Sequence, residues 1–335
     1  MKLLYVGMHP TMEHDELSIF SSLGIDCFSV GNYLNPLQPT NATRPPLNLQ
    51  PKPELITEFE KYNPTLDRRK IILTKEIVKD FDVVLVSHFT RHLDDNWDLL
   101  KDKFVIWRTF GLTNSKVEQS QKHRRKQIKI VRTSERELHI HNNLGIDAVI
   151  RASCNPAEFK DWNGKEPNVL TVTKRMKSRP AHCYFNEYCQ ITKGLPRKLY
   201  GTQNENISFS GGSLTYKELI NAYRNNRVFL SMGTRPGSYT YTFLEAWMTG
   251  CPVVTIGPNL GGPGYEVPSL VENGVDGFWF DNFHAMRERI KSLLKDYELA
   301  CKISKKGRKK AIDIFGVDKV TEDWKTFFTD HSFLL

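Results

Sequence analysis

One segment in the second half of the chain limits the folds that this sequence can adopt. Residues 227–232 form an apolar run typical of a buried strand, and the Pro-Gly pair at residues 236–237 interrupts it. Residues 244–248 then suit a short helix that ends at Gly250, and residues 252–256 suit another strand. A strand, a turn, a helix and a second strand in this order indicate a parallel α/β sheet.

This segment also predicts where a ligand would bind. In parallel sheets, ligands bind where the carboxyl end of a strand meets the first turn of the following helix. The N–H groups of that first turn have no partner inside the helix, and the helix dipole favours negative charge there. We therefore predict that a phosphate group binds between the strand at residues 227–232 and the helix at residues 244–248.

The same alternation of apolar runs and helical segments extends over the rest of the chain. With 335 residues, the chain is long for one domain and sufficient for two. The sequence therefore predicts an α/β protein with two doubly wound, Rossmann-like domains. Further strands are expected at residues 2–8, 26–30, 83–88, 104–107, 128–132, 147–152 and 168–173.

The composition is that of an ordinary globular protein. Hydrophobic residues make up 39% of the chain and charged residues 25%, and no apolar run approaches the roughly 20 residues of a membrane span. The first residues read as a strand and not as a signal peptide. The six cysteines show no Cys-x-x-Cys spacing, and several lie in apolar runs, as buried thiols do. A cytoplasmic setting is expected.

Residues 245–254 carry a family resemblance. They read Glu-Ala-Trp-Met-Thr-Gly-Cys-Pro-Val-Val, which resembles the donor-site signature of the retaining, GT-B-fold glycosyltransferases of family four, also called glycosyl transferases group one. A second segment, residues 272–277, resembles the Glu-Asn-Gly-x-x-Gly turn of the same family. The family also has another Glu, eight residues before the position of Glu245. Gly237 stands at that position here.

The resemblance implies a nucleotide-sugar site in the second half of the chain. Glu245 would hold the ribose, and the backbone N–H groups of Ser238, Tyr239, Thr240 and Tyr241 would meet the donor phosphate and sugar. The missing Glu at position 237 leaves the identity of the sugar open. The family needs neither a cofactor nor a metal, and its reaction retains the anomeric configuration. The donor would be a UDP or GDP sugar.

A basic turn follows the strand at residues 168–173. Arg175, Lys177 and Arg179 lie at the predicted carboxyl end of that strand, and their charges suit the oxygens of a diphosphate. The family places one Arg and one Lys here, so Arg175 matches the Arg while Lys177 and Arg179 compete for the second role. The alternative interpretation is an ordinary basic turn on the surface.

Three residues of the first half are predicted site residues. Gly7 ends the first strand, where a glycine allows close approach of a phosphate or a sugar, although a simple tight turn would also explain it. His88 ends the strand at residues 83–88 and is a catalytic candidate, with a structural histidine as the alternative. Arg108 is the other catalytic candidate, because it could meet a phosphate or an acidic acceptor, and its alternative is a surface cation.

The net charge of +9 favours acidic partners. Residues 116–129 and 302–310 are basic runs, which are read either as solvated helix faces or as patches for nucleic acid or an anionic membrane surface. Two alternatives to a glycosyltransferase acting on a glycan, a lipid or a small molecule therefore stay open. One is a glycosyltransferase that modifies a DNA base, and the other is an inactive homologue that only binds the nucleotide sugar.

The predicted domain organisation follows the same family. Residues 1–155 form the acceptor-side domain, and residues 165–315 form the domain that binds the nucleotide sugar. Residues 316–335 form a C-terminal helix that packs back on the first domain. In the GT-B fold the two domains face a cleft.

Overall fold

The computed structural model describes residues 1–7, 9–40, 43–65, 67, 69–111 and 113–334. The chain forms two compact units. Unit 1 consists of residues 1–153 and 317–335, and unit 2 consists of residues 154–316.

Unit 1 contains a six-stranded parallel sheet in the order β2-β1-β3-β4-β5-β6. Its strands are β1 Lys2–Val6, β2 Asp26–Ser29, β3 Val83–Ser87, β4 Phe104–Arg108, β5 Ile128–Arg132 and β6 Ala148–Val149. Its first helices are α1 Pro10–Ser22, α2 Pro53–Tyr62, α3 Lys75–Val78, α4 Arg91–Leu100 and α5 Ser115–Ser120, followed by 3-10 turns at Lys122–Arg124 and Glu135–His139.

The strands of unit 1 are apolar on both faces, as a sheet covered on both sides requires. In β3, Val84 and Val86 enter one hydrophobic cluster, and Val83 and Leu85 enter the other. Successive side chains of a strand point to opposite faces, so this arrangement follows from an uninterrupted apolar run. The sheet is therefore fixed between two helical layers.

Unit 2 contains a five-stranded parallel sheet in the order β11-β10-β9-β7-β8. Its strands are β7 Glu166–Val172, β8 Arg197–Tyr200, β9 Asn226–Ser231, β10 Val253–Ile256 and β11 Phe278–Phe280. Its helices are α6 Pro180–Cys183, α7 Phe185–Thr192, α8 Tyr216–Asn225, α9 Tyr241–Thr249, α10 Pro258–Gly261, α11 Val267–Leu270, α12 Phe283–Lys295 and α13 Tyr297–Phe315.

Helix α9 is the central helix of unit 2. Thr240 caps its first turn, and the left-handed Gly250 (φ +94°) ends it, as the sequence predicts. Helix α13 packs along it, with Gly307 against the indole of Trp247 and the Arg308 guanidinium on the Met248 carbonyl. A side chain at position 307 would clash with Trp247, so the glycine allows the two helices to approach closely.

The final helix, α14 Val317–Asp330, belongs to unit 1. Trp324 contacts Phe20 of α1 edge to face, with ring centroids 5.0 Å apart, and stacks on Phe328. These rings are buried, so α14 completes the hydrophobic layer on one face of the unit 1 sheet.

Several boundaries differ from the sequence prediction. The sequence of residues 284–300 predicts one helix, but the structure divides this range between α12 and α13. Asp296 ends α12 and its side chain accepts from the Leu299 N–H, which caps α13. Leu17, Phe20 and Leu23 share one helical face, which predicts a helix over residues 14–23. In the structure α1 begins earlier, at Pro10, because proline suits the first turn of a helix and His9 caps it.

Candidate functional site

An open cavity lies at the carboxyl ends of β7 and β9 in unit 2. Its lining combines apolar side chains with six hydroxyl groups, which neighbouring backbone can orient. Thr171, for example, donates to the Leu230 carbonyl at 2.9 Å. The six hydroxyl residues are Thr171, Thr173, Ser231, Thr234, Thr240 and Thr242. This cavity lies where the sequence predicts a phosphate site.

The first turn of α9 forms one wall of this cavity. Thr240 and Thr242 both line it, and the Thr240 hydroxyl accepts from the Phe243 N–H at 3.2 Å. The first N–H groups of a helix have no partner within it, and the nine residues of α9 align their peptide dipoles toward this end. This wall therefore has the polarity that an anionic group requires.

The turn after β7 supplies positive charge beside the cavity. Arg175 is exposed in a left-handed conformation (φ +54°), and its Nε donates to the Gln203 side chain. Lys177 is also exposed, and its Nζ lies 3.4 Å from the Asn206 carbonyl. Arg179 is half-buried, and its Nη2 donates to the Lys174 carbonyl at 2.6 Å. Met176, in the middle of this turn, lines the cavity.

A second turn, after β8, holds the basic turn in place. The left-handed Gly201 (φ +132°) approaches β7 so closely that a Cβ would lie 2.1 Å from the Thr173 carbonyl oxygen. Asn204 is fully buried and bonds to backbone groups of both turns. No local sequence pattern identifies Asn204, because its partners Thr173 and Met176 lie about thirty residues away in the chain.

Arg235 joins the loops on the other side of the cavity. Its guanidinium lies 3.6 Å from the centroid of the Tyr184 ring, and its Nη1 donates to the Tyr184 hydroxyl at 2.7 Å. That hydroxyl donates to the Leu260 carbonyl at 2.7 Å. The backbone N–H of Arg235 donates to the His182 carbonyl at 3.1 Å, and the Arg235 carbonyl lies 2.9 Å from His182 Nδ1. Arg235 therefore connects the loops after β7, β9 and β10 through hydrogen bonds.

Glu245 lies one turn inside α9 and is only 2% exposed. The Tyr223 hydroxyl of α8 donates to its Oε2 at 2.9 Å. Glu245 is not among the residues that line the cavity. The structure thus places this carboxylate between two helices and brings Tyr223, a partner that the sequence did not indicate, into contact with it.

The remaining predicted residues of this loop differ in exposure. Ser238 is buried, and its carbonyl accepts from the Glu266 N–H at 2.8 Å. Tyr239 is half-buried and packs edge to face against Phe315, with centroids 5.2 Å apart. Tyr241 is half-buried at the first position of α9. Gly237, at the position of the missing glutamate, is buried and its N–H donates to the Thr234 carbonyl.

Gly7 has a packing explanation in unit 1. A Cβ at this position would lie 2.7 Å from the carboxylate of Glu13, which is fully buried. That carboxylate accepts from the Ser29 hydroxyl, the Asn32 backbone and side chain, and the Tyr33 N–H, at 2.7–2.9 Å. Glu13 thus fixes the end of β2 and the loop after it, and Gly7 provides the space that its carboxylate occupies.

His88 follows β3 directly, in a left-handed conformation (φ +66°) that is uncommon for a residue with a Cβ. Its ring stacks on Phe110 with centroids 5.2 Å apart, and His9 contacts the same phenyl ring edge to face. Burial lowers the pKa of His88 below its ordinary value, so the neutral imidazole is favoured. The three rings gather at the carboxyl ends of β1, β3 and β4.

Arg108 lies in the interior of unit 1 and not on a substrate-accessible surface. Its side chain is 0% exposed, and its Nε donates to Glu16 at 2.7 Å. Burial raises the pKa of Glu16 above its ordinary value, although Arg108 and the Tyr5 hydroxyl act in the opposite direction. The guanidinium also lies 5.3 Å from the Trp324 ring. The predicted contact of Arg108 with a phosphate therefore does not fit its position, because it is enclosed as a structural ion pair.

Two cations of the first basic run, residues 116–129, form ion pairs within unit 1. Arg124 is buried and bonds to Asp94, and Arg125 pairs with Asp147 at 3.0 Å. Among the remaining cations of this run, Lys116, Lys122 and Lys126 are exposed. The second run lies on α13, where Lys302, Lys305, Lys306 and Lys309 are exposed on the face opposite to the buried Ile303, Gly307 and Ala311.

The described residues contain neither a metal-ligand cluster nor a helix that could span a membrane. Within the described residues, no group of three or more His, Cys, Asp or Glu side chains is placed to hold a metal ion. Among the helices of the same residues, none combines the length and the hydropathy that crossing a bilayer requires.

Comparisons with known proteins give one family model and many similar solved structures. Residues 200–310 match the family model of Glycosyl transferases group 1, which covers the segment from the end of β8 to α13. A search of the curated proteins gives no match. Many solved structures are similar.

Three of these structures cover nearly the whole chain. A sucrose-phosphate synthase of Thermosynechococcus elongatus has a TM-score of 0.69 at 12% identity, over 98% of both chains. A glycosyltransferase of Rickettsia africae has a TM-score of 0.68 at 15% identity, also over 98% of both. HepE of Anabaena, solved with UDP and glucose, has a TM-score of 0.66 at 11% identity, over 98% of this chain and 100% of that one. The chain therefore has the GT-B fold of these structures, and its residues 200–310 match the family model of Glycosyl transferases group 1.

Proposed function

We propose that the protein is a glycosyltransferase that moves a sugar from a nucleoside diphosphate sugar to an acceptor hydroxyl with retention of configuration. The observation that carries the proposal is the cavity of unit 2, whose walls are the first turn of α9 and six hydroxyl side chains, with the basic turn beside it. HepE of Anabaena was solved with UDP-glucose, which supports a nucleotide-sugar donor for a chain of the same fold.

The chemistry required of the enzyme is stabilisation of the departing diphosphate. Negative charge develops on the leaving oxygen as the sugar departs, and preorganised donors lower the free energy of that state. We assign this role to the first-turn N–H groups of α9 and to Arg175, with Lys177 and Arg179 adding positive charge. The countercharge then comes from side chains and helix N–H groups, so we propose a reaction that needs no metal and continues in EDTA.

The other residues have more limited proposed roles. Backbone groups of Ser238 and Tyr239 in the loop before α9, and of Tyr241 at its first position, would contact the donor. Glu245 would reach the ribose only by exchanging the Tyr223 hydroxyl for a ribose hydroxyl, since the two are now bonded. In unit 1, the neutral His88 would accept a hydrogen bond from the acceptor hydroxyl.

A thermal-shift panel tests the donor assignment. Each of UDP, GDP and their glucose or mannose conjugates is added to the protein, and the unfolding temperature is measured. A ligand present at 100 times its Kd should add about 2.7 kcal/mol to the free energy of unfolding. We expect either UDP and its sugar conjugates or GDP and its sugar conjugates to raise the unfolding temperature, while the free sugar leaves it unchanged. If none of the nucleotides changes the unfolding temperature, the proposal is refuted.

A polyanionic acceptor is the second candidate, because the charge of the chain is unevenly distributed. Unit 2 has 23 Lys and Arg against 15 Asp and Glu, a net charge of +8, whereas unit 1 has 24 against 23. Part of this excess is the exposed lysine face of α13, which also includes Glu298 and Asp313. We propose that this face can bind nucleic acid through its phosphates.

The salt dependence of DNA binding shows whether the lysine face of α13 binds nucleic acid or is only a solvated helix face. Four lysines that neutralise four phosphates of duplex DNA give a slope of about −3.6 in log K against log of the salt concentration. A fluorescence-polarisation titration with a labelled duplex measures this slope, and Lys305→Ala with Lys309→Ala should reduce it by about half. Transfer of sugar to a glycan, lipid or small molecule without DNA binding would exclude the nucleic-acid acceptor. If no acceptor is used although the nucleotide sugar binds, the inactive homologue is favoured.

A further inference from the structure

The side chain of Asn204 connects the two turns that border the donor cavity. Asn204 is 0% exposed, and its Oδ1 accepts from the Met176 N–H at 2.8 Å. Its Nδ2 donates to the Thr173 carbonyl at 2.7 Å and to the Gly201 carbonyl at 3.1 Å. The amide oxygen faces an N–H group and the amide nitrogen faces two carbonyl groups, so only this orientation of the amide satisfies all three contacts.

These contacts enclose the basic turn. Thr173 and Met176 are the residues on either side of Lys174 and Arg175, so Asn204 fixes the turn at both ends. Two neighbouring contacts reinforce it, since the Arg175 N–H donates to the Thr202 carbonyl at 3.1 Å and Arg175 Nε donates to Gln203. Arg175 and Gln203 both have positive φ, a conformation that the backbone keeps only where surrounding contacts hold it.

A turn that carries four cations needs such support. Lys174, Arg175, Lys177 and Arg179 repel one another, and in the absence of an anion this repulsion favours opening of the turn. Binding is tighter when the charged groups are already in place, because less conformational freedom is lost on binding. The neutral amide of Asn204 provides this restraint without cancelling any of the positive charge.

We propose that Asn204, assisted by Gln203, is a positioning residue that holds the basic turn ready for the diphosphate of the donor. This inference rests on the proposed function of the cavity and adds a residue to it. Asn204 acts through backbone groups of the turn and does not itself contact the donor. Its effect is therefore specific for the phosphate part of the ligand.

The residue type is part of the inference. Aspartate at this position would direct a carboxylate oxygen at the carbonyls of Thr173 and Gly201, which repel it. Alanine would leave these two carbonyls and the Met176 N–H without their buried partner. Both changes loosen the turn, and aspartate does so with almost no change in volume.

The test compares two ligands in each variant. The Kd of the preferred nucleoside diphosphate and of the corresponding nucleoside are measured by calorimetry for the full chain and for Asn204→Ala and Asn204→Asp. We expect the diphosphate Kd to rise tenfold or more and the nucleoside Kd to change less than twofold. The matched control is Asn221→Ala, which removes an exposed amide from α8 and should change neither value.

Each outcome discriminates. A parallel loss of both ligands, or unchanged diphosphate binding in a folded variant, overturns the positioning role. If the parent chain binds neither ligand, the proposed function fails instead. Where the Asn204 variants do not fold, Gln203→Ala replaces them, since it removes only the exposed contact to Arg175. We expect it to raise the diphosphate Kd about threefold without changing the nucleoside Kd, and an unchanged diphosphate Kd would again refute the inference.

Discussion

Replacement of Arg175 by alanine tests the donor site most directly. A hydrogen bond between charged groups contributes roughly 1.5–3 kcal/mol, whereas exposed ion pairs contribute roughly 0–1 kcal/mol. Arg175 is exposed, and one of its guanidinium donors is already engaged by Gln203. We therefore expect a loss of about 1 kcal/mol, which raises the Kd of the nucleoside diphosphate about fivefold.

The left-handed backbone of Arg175 provides a useful companion variant. Glycine adopts φ +54° without strain, so Arg175→Gly removes the guanidinium without adding backbone strain to the turn. Both variants should lose diphosphate affinity to a similar extent. If only Arg175→Ala loses affinity, the cause is the backbone and not the missing charge.

Calorimetry with the nucleoside diphosphate at two salt concentrations measures the effect. The control is Lys309→Ala on α13, which makes the same change in net charge within unit 2 but lies outside the cavity lining. The loss for Arg175→Ala should shrink at high salt, because exposed charges are screened. Equal losses for Arg175→Ala and Lys309→Ala, or no loss for either, would refute the diphosphate contact.

Three further predictions concern stability. Glu118→Gln should lower the free energy of unfolding in urea by about 3–5 kcal/mol, because it breaks a fully buried ion pair with Arg132, and a loss below 1 kcal/mol would contradict this. Since burial lowers the pKa of His88, the unfolded chain takes up the proton more readily, and the free energy of unfolding should fall as the pH drops below about 6.5. His88→Asn, which tolerates the left-handed backbone, should weaken that pH dependence, and an unchanged slope would count against it. Gly201→Ala should cost at least roughly 2 kcal/mol in thermal unfolding, since its Cβ would clash with the Thr173 carbonyl, and an unaltered unfolding temperature would disprove the close approach.

The fold was predictable because the strands carry their own signal. A parallel strand covered on both faces is apolar along its whole length, so β3 and β9 are recognisable without knowledge of their neighbours. Caps are equally local, as in the capping box of Ser134 and Glu137, whose side chains lie only three residues apart. The break between α12 and α13 was missed although Asp296 is a suitable cap, because the apolar periodicity of the two helices is nearly continuous.

The site was predictable only in part, because its decisive contacts join distant segments. The strand, turn and helix at β9 and α9 lie within about twenty residues, so the position of the cavity follows from the sequence. By contrast, Arg108 pairs with Glu16 from 92 residues away. No local pattern distinguishes an arginine that will be enclosed by such a partner from one that stays available for a phosphate.

The net charge of the chain also follows directly from the sequence, whereas the positions and partners of the individual cations do not. A net charge of +9 says nothing about which cations remain available, and the structure removes Arg108, Arg124 and Arg132 from the surface by pairing each with a carboxylate. Such pairs contribute to folding and leave no field for a ligand. In unit 2, by contrast, Arg175 and Lys177 are exposed on a turn that is fixed by the neutral amide of Asn204, which adds no opposing charge. An uncompensated charge held in a fixed position is unfavourable for folding alone, and an anionic ligand bound at that turn would offset it.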